Sequence, residues 1–189
     1  MPISTPPLNL FFAITLIMLS LPKLNQATVR IVVGRCHASG FIQSKGGYCS
    51  VSNAASCCQA GQTYSQYRCS PPVTGSTAAI MYKTSFVNTT AKCDNRTYPD
   101  SDLVVALSTG WYDVGSRCMR NITIDANNGN SVTAQVVGEC DSWNGCDTVN
   151  GNIPPCVENV VMASPAVWEQ LGVPQSQSNE LDITWSDVS

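Results

Sequence analysis

Residues 121–137 read NITIDANNGNSVTAQVV. The flanking runs, 121–126 and 131–137, are β-branched or alternating, which suits strands with one face against a core. Between them lies Asn127-Asn128-Gly129-Asn130. Asn-Gly readily takes the positive φ of a tight hairpin turn, so the stretch predicts two antiparallel strands. Working outward, the same signal recurs at 77–86 (TAAIMYKTSF), 103–108 (LVVALS) and 181–185 (LDITW), and 159–162 (NVVM) reads as a buried strand. One short helix interrupts the series. Ser164 stands at its N-cap, Pro165 at its first position, Val167, Trp168 and Leu171 form its apolar stripe, and Gly172 ends it. The sum is an all-β domain of six strands with one small helix, expected to close into a barrel because closure leaves no free edge.

Upstream the character changes. Residues 28–75 are rich in Cys, Gly and Ser and show little periodicity, ending in the turn-forming run Ser70-Pro71-Pro72-Val73-Thr74-Gly75. They are read as a stapled N-terminal appendage ahead of a main domain at 76–189. Further upstream, residues 10–21 (LFFAITLIMLSL) make a twelve-residue apolar run. That is too short to span a bilayer, which takes about 20 residues. It fits the core of a secretory signal occupying residues 1–27, cleaved after Ala27, although no Lys or Arg precedes it.

Only 12% of the 189 residues are charged, against about 25% in ordinary domains, and the net charge is −3. Such a chain cannot supply a phosphate-neutralising face, so nucleic acid is excluded as a partner. All Lys and Arg lie at or before Arg120, and most acids lie after it. The two halves are expected to neutralise each other within one fold.

The ten cysteines are Cys36, Cys49, Cys57, Cys58, Cys69, Cys93, Cys118, Cys140, Cys146 and Cys156. An even count behind a signal reads as a disulfide framework made in an oxidising compartment. Irregular spacing and a single histidine, His37, argue against zinc, which needs clustered, repeated ligands. Neighbours Cys57 and Cys58 are expected to bond different partners. The odd number of cysteines up to Cys69 requires a bridge into the main domain. Three sequons, at Asn88, Asn95 and Asn121, are glycosylation candidates. The mature chain is therefore expected to be secreted, extracellular and monomeric, with no membrane attachment.

Several strings together resemble the kiwellins, secreted plant proteins also called ripening-related proteins. They are Ser70-Pro71-Pro72-Val73-Thr74-Gly75-Ser76-Thr77, Val104-Val105-Ala106-Leu107-Ser108-Thr109-Gly110-Trp111-Tyr112, Gly115-Ser116-Arg117-Cys118 and Asp182-Ile183-Thr184-Trp185-Ser186-Asp187. The resemblance implies a six-stranded double-psi β-barrel, related in fold to barwin and expansins, with a kissper-like appendage. It also implies an apoplastic or cell-wall protein of plant defence, some relatives binding and inhibiting a secreted fungal chorismate mutase.

Barrels of this fold that cut polysaccharide use acids in a groove, and glycoside hydrolysis generally needs two. Kiwellin strings of the form V-V-D-E-C-D and V-D-A-S are similar to the segments that carry those acids. Here they read Val136-Val137-Gly138-Glu139-Cys140-Asp141 and Val161-Met162-Ala163-Ser164. Gly138 and Met162 cannot move a proton, so no catalytic residue is assigned. No metal or cofactor motif appears either.

A binding role is expected instead, toward a pathogen-secreted protein or, alternatively, a cell-wall polysaccharide. The candidate contacts are Trp111, Tyr112 and Asp113 after the polar turn Ser108-Thr109-Gly110, then Arg117, Glu139, Asp141 and Trp143. Trp and Tyr are common interface anchors. Trp143, flanked by polar residues between Cys140 and Cys146, is expected to project outward. In the competing reading, Trp111, Trp168 and Trp185 fill the barrel.

Overall fold

The computed structural model describes residues 36–49, 57–174 and 179–188, all within one compact unit, Val33–Ser189. The expected signal at 1–27 lies outside the described residues.

Strands β3 (Thr77–Lys83), β4 (Val104–Ser108), β5 (Asn121–Ala126), β6 (Ser131–Cys140), β7 (Val160–Ala163) and β8 (Glu180–Asp187) close a barrel in the order β3-β7-β4-β6-β5-β8. Earlier in the chain, β1 (Gly40–Gln43) and β2 (Thr63–Gln66) pair antiparallel as a separate two-stranded sheet. Two barrel pairs, β3/β7 and β4/β6, are parallel and the rest antiparallel. Two parallel pairs from crossing connections in a closed six-stranded sheet make this the double-psi β-barrel.

The hairpin expected from Asn-Gly is present. Asp125 pairs with Ser131, Gly129 has φ +88°, and the Ala126 N–H donates to Asn130 O at 2.9 Å. Other boundaries differ from those the pattern suggests. β3 stops at Lys83, and Phe86 turns inward three residues later. β6 runs on to Cys140 through a bulge, where Val105 pairs with Val136 but Ala106 pairs with Gly138.

The barrel interior holds Met81, Val105, Leu107, Ile122, Ile124, Val136, Val161 and Trp185, all fully buried. The expected helix is α2 (Pro165–Gln170), after β7; a second, α1 (Thr109–Tyr112), starts where the sequence suggested a polar turn after β4 and runs into a 3₁₀ turn (Asp113–Gly115). α2 adds Val167 and Trp168 to the same core, and Leu171 beyond it does likewise. Each such side chain contributes about 1.5–3 kcal/mol on burial. Trp111 meets Trp185 edge-on, centroids 5.1 Å apart. A smaller cluster of Phe86, Ala91, Val104, Ala106 and Val137 lies on the outer side of β4 and β6, beneath the β3–β4 connection. Ser164 is the N-cap of α2 by position only. Its hydroxyl does not cap the helix but donates to Asp102 O at 2.6 Å.

All ten cysteines pair: Cys36–Cys69, Cys49–Cys57, Cys58–Cys146, Cys93–Cys118 and Cys140–Cys156. Cys57 and Cys58 do bond different partners, and Cys58–Cys146 is the bridge the odd count required. The charge halves also meet: Arg117 pairs with Asp187 and Lys92 with Glu139.

Candidate functional site

Because β4 and β6 run parallel, their C-terminal ends finish side by side, Leu107 opposite Glu139 and Ser108 opposite Cys140. Whatever follows each strand therefore emerges on the same rim. After β4 comes Thr109, whose hydroxyl donates to Glu139 Oε1 at 2.6 Å and accepts the Ser142 N–H at 2.8 Å. Ser142 returns the contact, its Oγ accepting the Thr109 N–H at 3.2 Å. One threonine thus ties the start of α1 to the segment leaving β6.

The Glu139 side chain is 7% exposed, and its second oxygen takes the Lys92 ammonium, which the β3–β4 connection delivers and leaves 58% exposed. Lys92 also stands 5.6 Å from the Tyr112 ring centroid. The hydrogen bond to Glu139 raises the Lys92 pKa, outweighing burial, which works the other way. Asp141 is held by three donors: the N–H groups of Trp143 and Asn144 and the Asn144 side-chain amide, at 2.8, 2.9 and 2.9 Å. Burial alone would push its carboxyl up. Those hydrogen bonds, with the Lys92 charge, instead bring it below the usual carboxylate range.

Trp143 does not project freely as expected; it is half-buried. The Arg68 guanidinium stacks 3.8 Å from its ring centroid, Gln66 Nε2 donates to its carbonyl at 2.5 Å, and Tyr67 N–H donates to Ser142 O at 2.7 Å. A side chain at Gly40 would stand 3.3 Å from the indole. The β1–β2 lobe lies against the tryptophan and converts a loop tip into a joint.

Trp111 and Tyr112, expected as partner contacts, are buried, so the core-filling reading holds for Trp111 as for Trp168 and Trp185. The indole N–H of Trp111 donates to Pro71 O at 2.7 Å. Asp113 is exposed and accepts the Ser116 hydroxyl at 2.8 Å. Arg117 grips Asp187 with two nitrogens, at 3.0 and 3.2 Å, and donates a third bond to Trp111 O at 2.7 Å. It clamps the turn after α1 to the end of β8. The structure thus gathers Glu139, Asp141 and Trp143 on the rim and sets Asp113 and Arg117 in a separate cluster. Sequence reasoning missed Gln66, Arg68 and Lys92, which carry no local motif, and read Thr109 only as part of a polar turn; all four reach the rim through folding.

Gly138 and Met162 flank Ala106 at one level of the sheet, Ala106 pairing with both. A Cβ at Gly138 would meet Ala106 Cβ at 3.5 Å and Lys92 N at 3.8 Å, ordinary contacts. Among the described residues, no group of three His, Cys, Asp or Glu stands together to hold a metal ion. A depression of about 400 Å³ lined by Ala126, Asn127, Asn128, Gly172, Val173, Pro174 and Leu181 shares no residue with the rim.

Fold and site define a double-psi β-barrel whose rim, at the ends of two parallel strands, is closed by a disulfide-stapled lobe. The chain belongs to the kiwellin family: the Kiwellin-1 family model matches residues 14–188. Ripening-related protein 3 of Oryza sativa subsp. japonica is 46% identical over 161 residues, 81% of this chain and 75% of that protein. Kiwellin of Actinidia chinensis var. chinensis is 43% identical over 145 residues, 74% of this chain and 67% of that one. Among solved structures, a Clavibacter michiganensis expansin superposes with TM-score 0.46 and 17% identity, covering 60% of this chain and 50% of its own.

Proposed function

We propose that this protein is an exported, non-catalytic member of the family that recognises a pathogen-secreted enzyme through the rim site, a chorismate mutase being the most concrete partner. The observation that carries this reading is the pre-organised rim. Half-buried Trp143, Arg68 stacked on it, and the Lys92–Glu139 pair are already fixed by Thr109, Ser142 and the lobe. A rigid aromatic–Arg cluster with its charges in place loses little ordering entropy on binding, the property of interface hot spots. Its carboxylates are occupied, Asp141 by three N–H donors and Glu139 by Lys92 and Thr109, which suits recognition better than proton transfer.

The test is a calorimetric titration of the disulfide-intact protein with a secreted fungal chorismate mutase, alongside a pull-down from infected extracellular fluid. A stoichiometric complex that Trp143→Ala weakens at least about tenfold, or about 1.4 kcal/mol, is expected. Retention on cellulose or pectin, with no protein captured and no effect on the enzyme, would replace this reading with polysaccharide binding.

A further inference from the structure

The β3–β4 connection, residues 84–103, stands on the barrel by a few feet. Phe86 and Ala91 are buried, Cys93 is bonded to Cys118, and the Tyr98 hydroxyl donates to Asp94 at 2.7 Å while its ring packs on the outer cluster. Between those feet the chain bows outward twice, at 87–90 and at 95–97, where every residue is exposed. Each bow carries an Asn-X-Thr triplet, Asn88-Thr89-Thr90 and Asn95-Arg96-Thr97. We propose that Asn88 and Asn95 are acceptors of N-linked oligosaccharide.

Three observations support the assignment independently of any binding role. The loop is anchored by backbone bonds, Ala91 N–H to Arg96 O at 2.7 Å, Cys93 N–H to Val137 O at 3.0 Å and Asn95 N–H to Ala91 O at 2.9 Å, and by the side chains of Asp94, which accepts from the Arg96 N–H and the Tyr98 hydroxyl, and of Lys92, which donates to Glu139; none of these bonds uses the Asn88 or Asn95 side chain. A bulky group on either asparagine side chain therefore displaces none of them. Asn95 has φ +59°, a conformation asparagine tolerates better than most residues. Five disulfides require an oxidising compartment, and the secretory route that supplies it also glycosylates Asn-X-Thr in surface loops. The third sequon differs. Asn121 and Thr123 lie in β5 between β6 and β8, with Ile122 fully buried and Asn121 O accepting the Val188 N–H at 3.1 Å.

In the transfer, the asparagine Nδ2 bonds to the anomeric carbon of a lipid-linked oligosaccharide diphosphate. The carbon–oxygen bond to the diphosphate breaks, its electron pair leaves with the diphosphate, and one amide proton passes to base.

The test expresses the full chain in secreting eukaryotic cells and maps its peptides by mass spectrometry before and after peptide-N-glycosidase treatment in heavy-oxygen water. Asn88 and Asn95 are expected as glycopeptides that become isotopically labelled Asp, and Asn88→Gln and Asn95→Gln each remove the mass of one glycan. Gln takes a left-handed backbone less readily than Asn, so Thr90→Ala and Thr97→Ala, which keep both asparagines, form a second arm with the same expected losses. An unmodified asparagine at either position in the purified, disulfide-bonded protein overturns the proposal. This readout needs no partner, so it stands or fails apart from the proposed binding function.

Discussion

The barrel and the β1–β2 lobe are held by different physics. The barrel side chains Met81, Val105, Leu107, Ile122, Ile124, Val136, Val161 and Trp185 are completely shut from water. The lobe has two strands of four residues each, and its large apolar side chains Phe41 and Tyr48 are 67% and 88% exposed. A segment that small cannot bury enough apolar surface to stand by itself. Cys36–Cys69 and Cys49–Cys57 close it, and Cys58–Cys146 fastens it to the barrel. The rim site therefore joins a region stabilised by burial to one stabilised by covalent constraint, with Trp143 at the seam.

The most severe damage should come from the core. Trp185→Ala should cost about 3–5 kcal/mol, read by chemical denaturation. Among the described residues the Trp185 indole N–H meets no hydrogen-bond acceptor, so the loss is one of packing.

Next, the double variant Cys58→Ser/Cys146→Ser removes a bridge spanning 88 residues. It should cost about 2–4 kcal/mol. Hydrogen exchange should show the loss concentrated in residues 57–69 while β4–β6 amides stay protected. Loss of protection spread evenly over the barrel would show that the two regions unfold as one.

Gly110→Ala tests the seam directly. An added Cβ would overlap the Cys69–Ser70 peptide backbone, which crosses α1 there. Overpacking of this kind costs about 1–3 kcal/mol and should lift the 69–72 segment without disturbing the β5–β6 hairpin.

The smallest effect comes from acid. Asp141 has a folded pKa below its unfolded value. Its contribution is therefore complete above the ordinary carboxylate pKa and is lost as pH falls through the lower, folded one. The loss should be at most about 1 kcal/mol for a partly exposed charge. Thermal unfolding between pH 5 and pH 2 should show a shallower fall for Asp141→Asn than for the wild type.

Legibility in the sequence follows the same divide. The hairpin at 126–130, the six strands and α2 were readable because alternation, Asn-Gly turn chemistry and Pro165 are properties of neighbours in the chain. The paired β1 and β2 were not, since four-residue strands with a glycine carry almost no periodicity. Of the rim, Glu139, Asp141 and Trp143 were found because they crowd one short stretch. Lys92 lies 47 residues from Glu139, and Gln66 lies 77 from Trp143. No local pattern marks such partners.

Local geometry and counting were enough to establish the all-β class, the helix, the full pairing of cysteines and the need for one bridge out of the appendage. Which cysteines pair emerged with the folded chain. So did the parallel run of β4 and β6 that brings Thr109 and Glu139 to one rim, and the burial of Trp111 while Trp143 lies half-covered under Arg68. Those outcomes depend on contacts between residues tens of positions apart, whose energies exist only once the barrel has closed.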